Sequence, residues 1–329
     1  MRKGVWLFVA AVVVALAAGG AARSGPATPA FDRGLPAANL NNAAGANRSN
    51  VAWSNGNDYV SGDDFTVGSA GQKWVVTGIR TWNITHKGVA FGDVFSDDTL
   101  YVGTGAIAPV ATGTLTAGSS TDSNPNITHT PVTYADGSDY QGSSGTALQL
   151  WQNDFTGLDL PVDGGQTVYF AVDGTTSSYY WFNHASNAAL SGSTQDGADG
   201  HWVTWAKSDL STPNLCDSGA PSGGVCDGGW DKSSDINVQV FASQVATSKD
   251  ACKDGGWQTL VRADGTAFRN QGDCVAYAEH SNGRGRDDNR GHGGNDHHGG
   301  PGNQHGGDHQ GHDNHQGHDN HQGPQRGDG

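Results

Sequence analysis

The stretch Lys73-Trp-Val-Val-Thr-Gly-Ile-Arg-Thr-Trp-Asn-Ile84 decides the fold. Trp74, Val76 and Trp82 share one parity, while Val75, Thr77, Ile79 and Thr81 share the other. Side chains alternate across an extended chain, so this segment reads as a strand covered on both faces, or on one face and an edge. Further short runs rich in Val, Thr, Trp and Tyr lie around it, at 50–53, 64–67, 99–103, 112–116, 127–134, 146–152, 167–173, 179–183, 201–205 and 236–241. Gly, Asn, Asp and Ser separate them, and no window sustains the i, i+3, i+4, i+7 spacing of an amphipathic helix. Short strands at this density predict an all-β chain, an antiparallel sandwich of jelly-roll type.

Composition agrees. Of the 33 acidic residues in the 329-residue chain only Glu279 is Glu; the rest are Asp, a turn and cap residue rather than a helix former. With 18 Lys and Arg the net charge is -15, and loss of Arg2 and Lys3 would take it to -17, a balance opposed to nucleic-acid binding.

Residues 1–22 read as a secretory signal: Arg2 and Lys3, an apolar run from Val5 to Ala18, then Gly20-Ala21-Ala22. Residues 23–30 read as a linker, 31–243 as the sandwich, 244–280 as a small module and 281–329 as a tail. No later segment is apolar for long enough to span a bilayer, so the mature chain is expected to be exported, extracellular or envelope-associated, without a membrane span. In an oxidising compartment Cys216, Cys226, Cys252 and Cys274 are expected to pair. Three pairings exist, and Cys216 with Cys226 and Cys252 with Cys274 would each close a local loop.

The tail holds 15 Gly, 9 His and 7 Asp, with no aliphatic or aromatic residue other than His, so it is expected to be disordered. Its sharpest feature is the twice-repeated Gly-His-Asp-Asn-His-Gln at 311–316 and 317–322. His297, His298, His305, His309, His312, His315, His318 and His321 are therefore candidate ligands for Zn, Ni or Cu, and Gly would let the chain wrap an ion. Protonation of nine His would also turn the tail from -3 to +6, favouring anionic surfaces at acid pH.

Asp63-Asp64 and Asp97-Asp98, with Asn55, Asn57 and Asp58, offer oxygens for Ca²⁺ in sandwich loops, although adjacent Asp residues on a strand point to opposite faces. His86, His129, His184 and His201 are scattered singly and read as structural. Trp181, Trp202 and Trp205 are candidates for a sugar-stacking platform, with a glycan or envelope component as partner. There is no Gly-x-Ser-x-Gly elbow and no His-Glu-x-x-His helix, and one Glu cannot form a Glu pair, so a non-enzymatic binding protein is expected. Metal sequestration is the alternative, and an Asp-dependent secreted hydrolase a second one.

Two motifs carry a resemblance. Ser61-Gly-Asp-Asp-Phe-Thr-Val67, Gln72-Lys-Trp-Val-Val-Thr-Gly-Ile79 and Asp235-Ile-Asn-Val-Gln-Val-Phe241 resemble a recurrent exported bacterial "DDF"-type β-sandwich domain, which has no shared catalytic residues. Cys252-Lys-Asp-Gly-Gly-Trp257 with Phe268-Arg-Asn-Gln-Gly-Asp-Cys-Val275 resembles a C-terminal module of secreted bacterial, especially actinobacterial, proteins. Physically the module reads as a strand at 257–261 and a helix at 271–279 capped by Asn270, with Cys274 tied to Cys252.

Overall fold

The long strand β4 (Lys73–His86) organises the first of two sheets. The structure, a computed structural model, describes residues 28–34, 50–53, 59–134, 137–139, 147–176, 182–184, 202–216 and 235–281. One edge of β4 pairs along its whole length with β8 (Leu148–Asp163), which in turn pairs with β7 (Ile127–Val132). The other edge takes β13 (Val238–Val245) and then β10 (Phe182–His184), which carries β2 (Asn50–Trp53). On the far side of β13 lie two short strands from opposite ends of the chain. These are β1 (Phe31–Asp32), antiparallel at Val240 and Gln239, and β14 (Leu260–Val261), parallel at Gln244 and Val245.

The second sheet runs β12 (Asp209–Cys216), β11 (Trp202–Ala206), β3 (Tyr59–Thr66), β9 (Thr167–Asp173), β5 (Asp97–Gly103) and β6 (Ile107–Thr114), all antiparallel. The core lies between the sheets: Val76, Ile79, Phe155 and Val240 from the first meet Phe65, Leu100, Phe170 and Trp202 from the second. This is the expected β-sandwich, with two antiparallel sheets curled around one apolar interior.

A bulge in the β4–β8 pairing between Val76 and Gly78 settles which parity of β4 faces the core. Val76 and Ile79, of opposite parity, both reach the main core, while Val75 packs outward against Val245 and Val261. Past the bulge the inward parity continues as Thr81, Asn83 and Thr85, all buried, so this end of the interior is polar.

Four prolines sit within described strands, and each avoids a ladder bond. Pro109, Pro131 and Pro213 lie on the edge strands β6, β7 and β12, and Pro161 lies where β8 has run past β7. Strand β12 and the second half of β8 were expected as loop. A four-residue helix, α1 (Phe91–Val94), follows β4.

The disulfide Cys252–Cys274 is present, with Cα atoms 5.8 Å apart. Helix α2 (Gln271–Ser281) matches the expectation, and Asn270 Oδ1 accepts a hydrogen bond from the Asp273 amide (2.9 Å) as its cap. Trp257 lies in a 3₁₀ turn (Gly256–Gln258) rather than in a strand, and only Leu260 and Val261 pair with β13. Among the described residues no helix is long and apolar enough to cross a membrane. The signal segment, the Cys226 partner expected for Cys216, and every candidate His of the tail lie outside the described residues.

Candidate functional sites

The aromatic platform expected from sequence is not on the surface. Trp202 and Trp205 have 2% and 0% of their surface exposed, because both belong to a central strand of the second sheet and fill its two faces. They are core residues, a correction to the expectation of exposed stacking rings; Trp181 lies outside the described residues. One aromatic ring borders open space. Tyr277 on α2 lines a cleft of about 440 Å³ between the first sheet and the C-terminal module, together with Val75 and Val245, and Lys73 and Asp163 stand at its edge. The Tyr277 hydroxyl accepts from the Ala263 amide (2.8 Å), which holds its ring, whereas the Trp74 side chain packs against the main core with its indole N–H donating to Gln72 Oε1 (3.2 Å). Lys73 and Asp163, directly opposite in the β4–β8 register, form an exposed ion pair.

Asp63 and Asp64 read from the sequence as turn or strand-end residues that could also offer oxygens to Ca²⁺. Here the positive charge beside them is Arg33, wholly buried just after β1. Its guanidinium lies 2.9 Å from Asp63, 2.8 Å from Asp64 and 3.7 Å from Asp235. Burial alone would lower the Arg33 pKa, but three carboxylates hold it above its ordinary value. Burial pushes Asp63 well above the carboxylate range, against the pull of Arg33. The cluster pins the N-terminal strand to β3 and to the chain entering β13.

Asp98 belongs to a second group. On β5 it shares parity with Leu100, and on β7 His129 shares parity with Ile127, so both side chains enter the interior, one from each sheet. Asp122, in the turn after β6, joins them: His129 Nε2 is 3.6 Å from Asp98 and 3.7 Å from Asp122. Within this trio one ligand atom from each residue lies within 4.8 Å of the others, and all three residues are buried. Among the described residues, both Asp98 oxygens, Asp122 Oδ2 and His129 Nε2 have no hydrogen-bond partner. Burial, then the neighbouring Asp122, pushes Asp98 up to about 8, and burial lowers His129 against the pull of Asn153 and Asp122.

His129, a singly placed histidine, reads from the sequence as structural, and Asp122 belongs to no motif there. Asp98 and His129 nonetheless left a signal: each is a polar residue at the core parity of its strand. Asp122 left none, since only the fold returns its turn to β5 and β7. His184, also buried, is held by Tyr134 (2.9 Å) and Asn237 (2.5 Å). His86 is exposed at the end of β4, and His201 lies outside the described residues. No protein-family model, curated protein or solved structure matches the chain.

Proposed function

We propose that the chain is an exported, non-enzymatic binding protein whose sandwich takes an extracellular or cell-envelope glycan in the cleft beside Tyr277. The observation that carries this reading is the cleft itself: an apolar lining from Val75 and Val245, the fixed Tyr277 ring and a charged pair at the rim. A sugar presents an apolar C–H face that lies on an aromatic ring and a polar edge of hydroxyls, which Lys73 and Asp163 can meet. The test is a glycan array probed with the full chain and with Tyr277→Ala. Selective binding that falls about tenfold or more in the variant supports the reading. A blank array, or binding that Tyr277→Ala leaves unchanged, rejects it.

The repeated Gly-His-Asp-Asn-His-Gln of the tail favours a second reading, capture of Zn, Ni or Cu as the main activity. It predicts that a chain ending at His280 folds normally and loses most of its capacity for these ions in isothermal titration at pH 7.4. Retained capacity rejects it.

A further inference from the structure

We propose that Asp98, Asp122 and His129 bind one divalent first-row transition ion, Zn²⁺ foremost, inside the sandwich between the two sheets. This site is separate from both the cleft and the tail.

Two carboxyl groups and an imidazole converge where none of them reaches water. Among the described residues, the salt-bridge partner of both Asp98 and Asp122 is His129 itself. Four polar atoms there lack hydrogen-bond partners among the described residues, and orphaned buried polar groups are costly. An ion placed among them would serve Asp98, Asp122 and His129 at once.

The Asn153 side chain donates through Nδ2 to Asn83 Oδ1, so its Oδ1 is the atom facing His129 Nδ1 at 2.9 Å. The Asn83 amide is fixed in turn by donating to Asn183 Oδ1 (2.8 Å). An amide oxygen only accepts, so His129 carries its proton on Nδ1 and aims the Nε2 lone pair at the two carboxylates. A lone pair facing two acidic oxygens is repulsive unless a cation or a proton lies between them. An imidazole whose other nitrogen donates to a fixed acceptor is the usual state of a metal-bound histidine. Asp122 is also set: its Oδ1 accepts from the Asn124 amide (2.6 Å), which leaves Oδ2 for the centre.

Donor atoms bound tetrahedrally at zinc-like lengths of about 2.0–2.2 Å stand roughly 3.3–3.6 Å apart. The 3.6 and 3.7 Å separations here need only a few tenths of an ångström of contraction. Calcium calls for about six to eight oxygen ligands, and this trio supplies one nitrogen and two carboxylates, a set suited to Zn²⁺ or Mn²⁺. The Phe91 ring of α1 lies flat on His129, centroids 3.9 Å apart and planes at 11°, and Trp151 meets Phe91 edge-on. The ion would thus be enclosed and slow to exchange.

That enclosure separates this site from the tail in an experiment on the full chain. The protein is refolded with Zn²⁺, washed natively with EDTA, and its retained zinc measured by mass spectrometry, alongside Asp98→Asn, Asp122→Asn and His129→Asn. Wild type is expected to keep about one ion per chain and the variants none, although all share the tail. A thermal melt gives a second readout. Zinc should raise the wild-type Tm and leave that of Asp98→Asn unmoved. X-ray absorption on the zinc-loaded wild type needs no variant to fold, and should show one imidazole with carboxylate oxygens. Wild-type retention no greater than that of the variants, an equal zinc response in Asp98→Asn, or a shell of several imidazoles would each overturn the proposal.

Discussion

A methyl group added at residue 113 would fall 2.0–2.3 Å from the carboxyl atoms of Asp122. Gly113 lies opposite Asp98 in the β5–β6 register, and its missing side chain is the space into which the Asp122 carboxylate folds. Gly113→Ala is therefore expected to displace Asp122, to cost about 1–3 kcal/mol by overpacking, and to abolish the zinc-induced rise in Tm. Urea unfolding and melts with and without zinc check both. Asp98 supplies a pH test on the metal-free protein. Its folded pKa is raised to about 8 from an ordinary carboxylate value near 3.8, so the folded state holds a proton that the unfolded chain releases. The resulting stability is complete below the unfolded pKa, declines above it and is lost as pH passes about 8. Asp63 is shifted in the same direction and His129 contributes the opposite slope below about 6.5, so the comparison must be a difference. Asp98→Asn should flatten the decline seen in wild type between pH 5 and 8. Equal slopes in the two proteins would refute the assignment.

At the scale of elements, alternation made most strands legible: β4, β9 and β2 begin where their apolar or β-branched runs begin. Strand β12 was not legible, because Pro213 and its Ser, Thr and Asn neighbours have the composition of a turn. An edge strand tolerates such residues, and being an edge is a property of the sheet rather than of the segment. The second half of β8 was hidden in the same way by Gly157 and Pro161. Two of the three residues of the buried site, Asp98 and His129, were visible as polar residues on apolar parity, and the third, Asp122, depended on a turn placed by tertiary pairing. Two elements are stapled, and the staples can be weighed. Arg33→Ala would leave Asp63 and Asp235 buried without their cation, an expected loss of about 3–5 kcal/mol in chemical denaturation. Replacing Cys252 and Cys274 together by Ala frees a loop with a sequence separation of 22, for an expected loss of about 3 kcal/mol. A loss under 1 kcal/mol would mean that β14 and α2 hold the module without the disulfide.

For the whole molecule, pairing is dominated by distant segments: β1 with β13, β3 with β11, β4 with both β8 and β13. Folding that must close such loops is slow, and refolding followed by tryptophan fluorescence is expected on the millisecond-to-second scale or slower. A single microsecond phase would contradict this topology. The strand β13 has a further consequence for a chain made from its N-terminus. Its outer edge is shared by a strand that emerges first and one that emerges near residue 261, and its inner edge belongs to β4, which emerges some 160 residues before it. Until β13 appears, β4 has only the short β10 on that edge and Arg33 lacks Asp235. The growing polypeptide can therefore collect hairpins such as β5–β6 and β7–β8, but it has no finished state to fall into until almost the last described strand is available. Completion of this sandwich is timed by synthesis, and a ribosome-bound chain stopped before residue 238 should remain sensitive to protease.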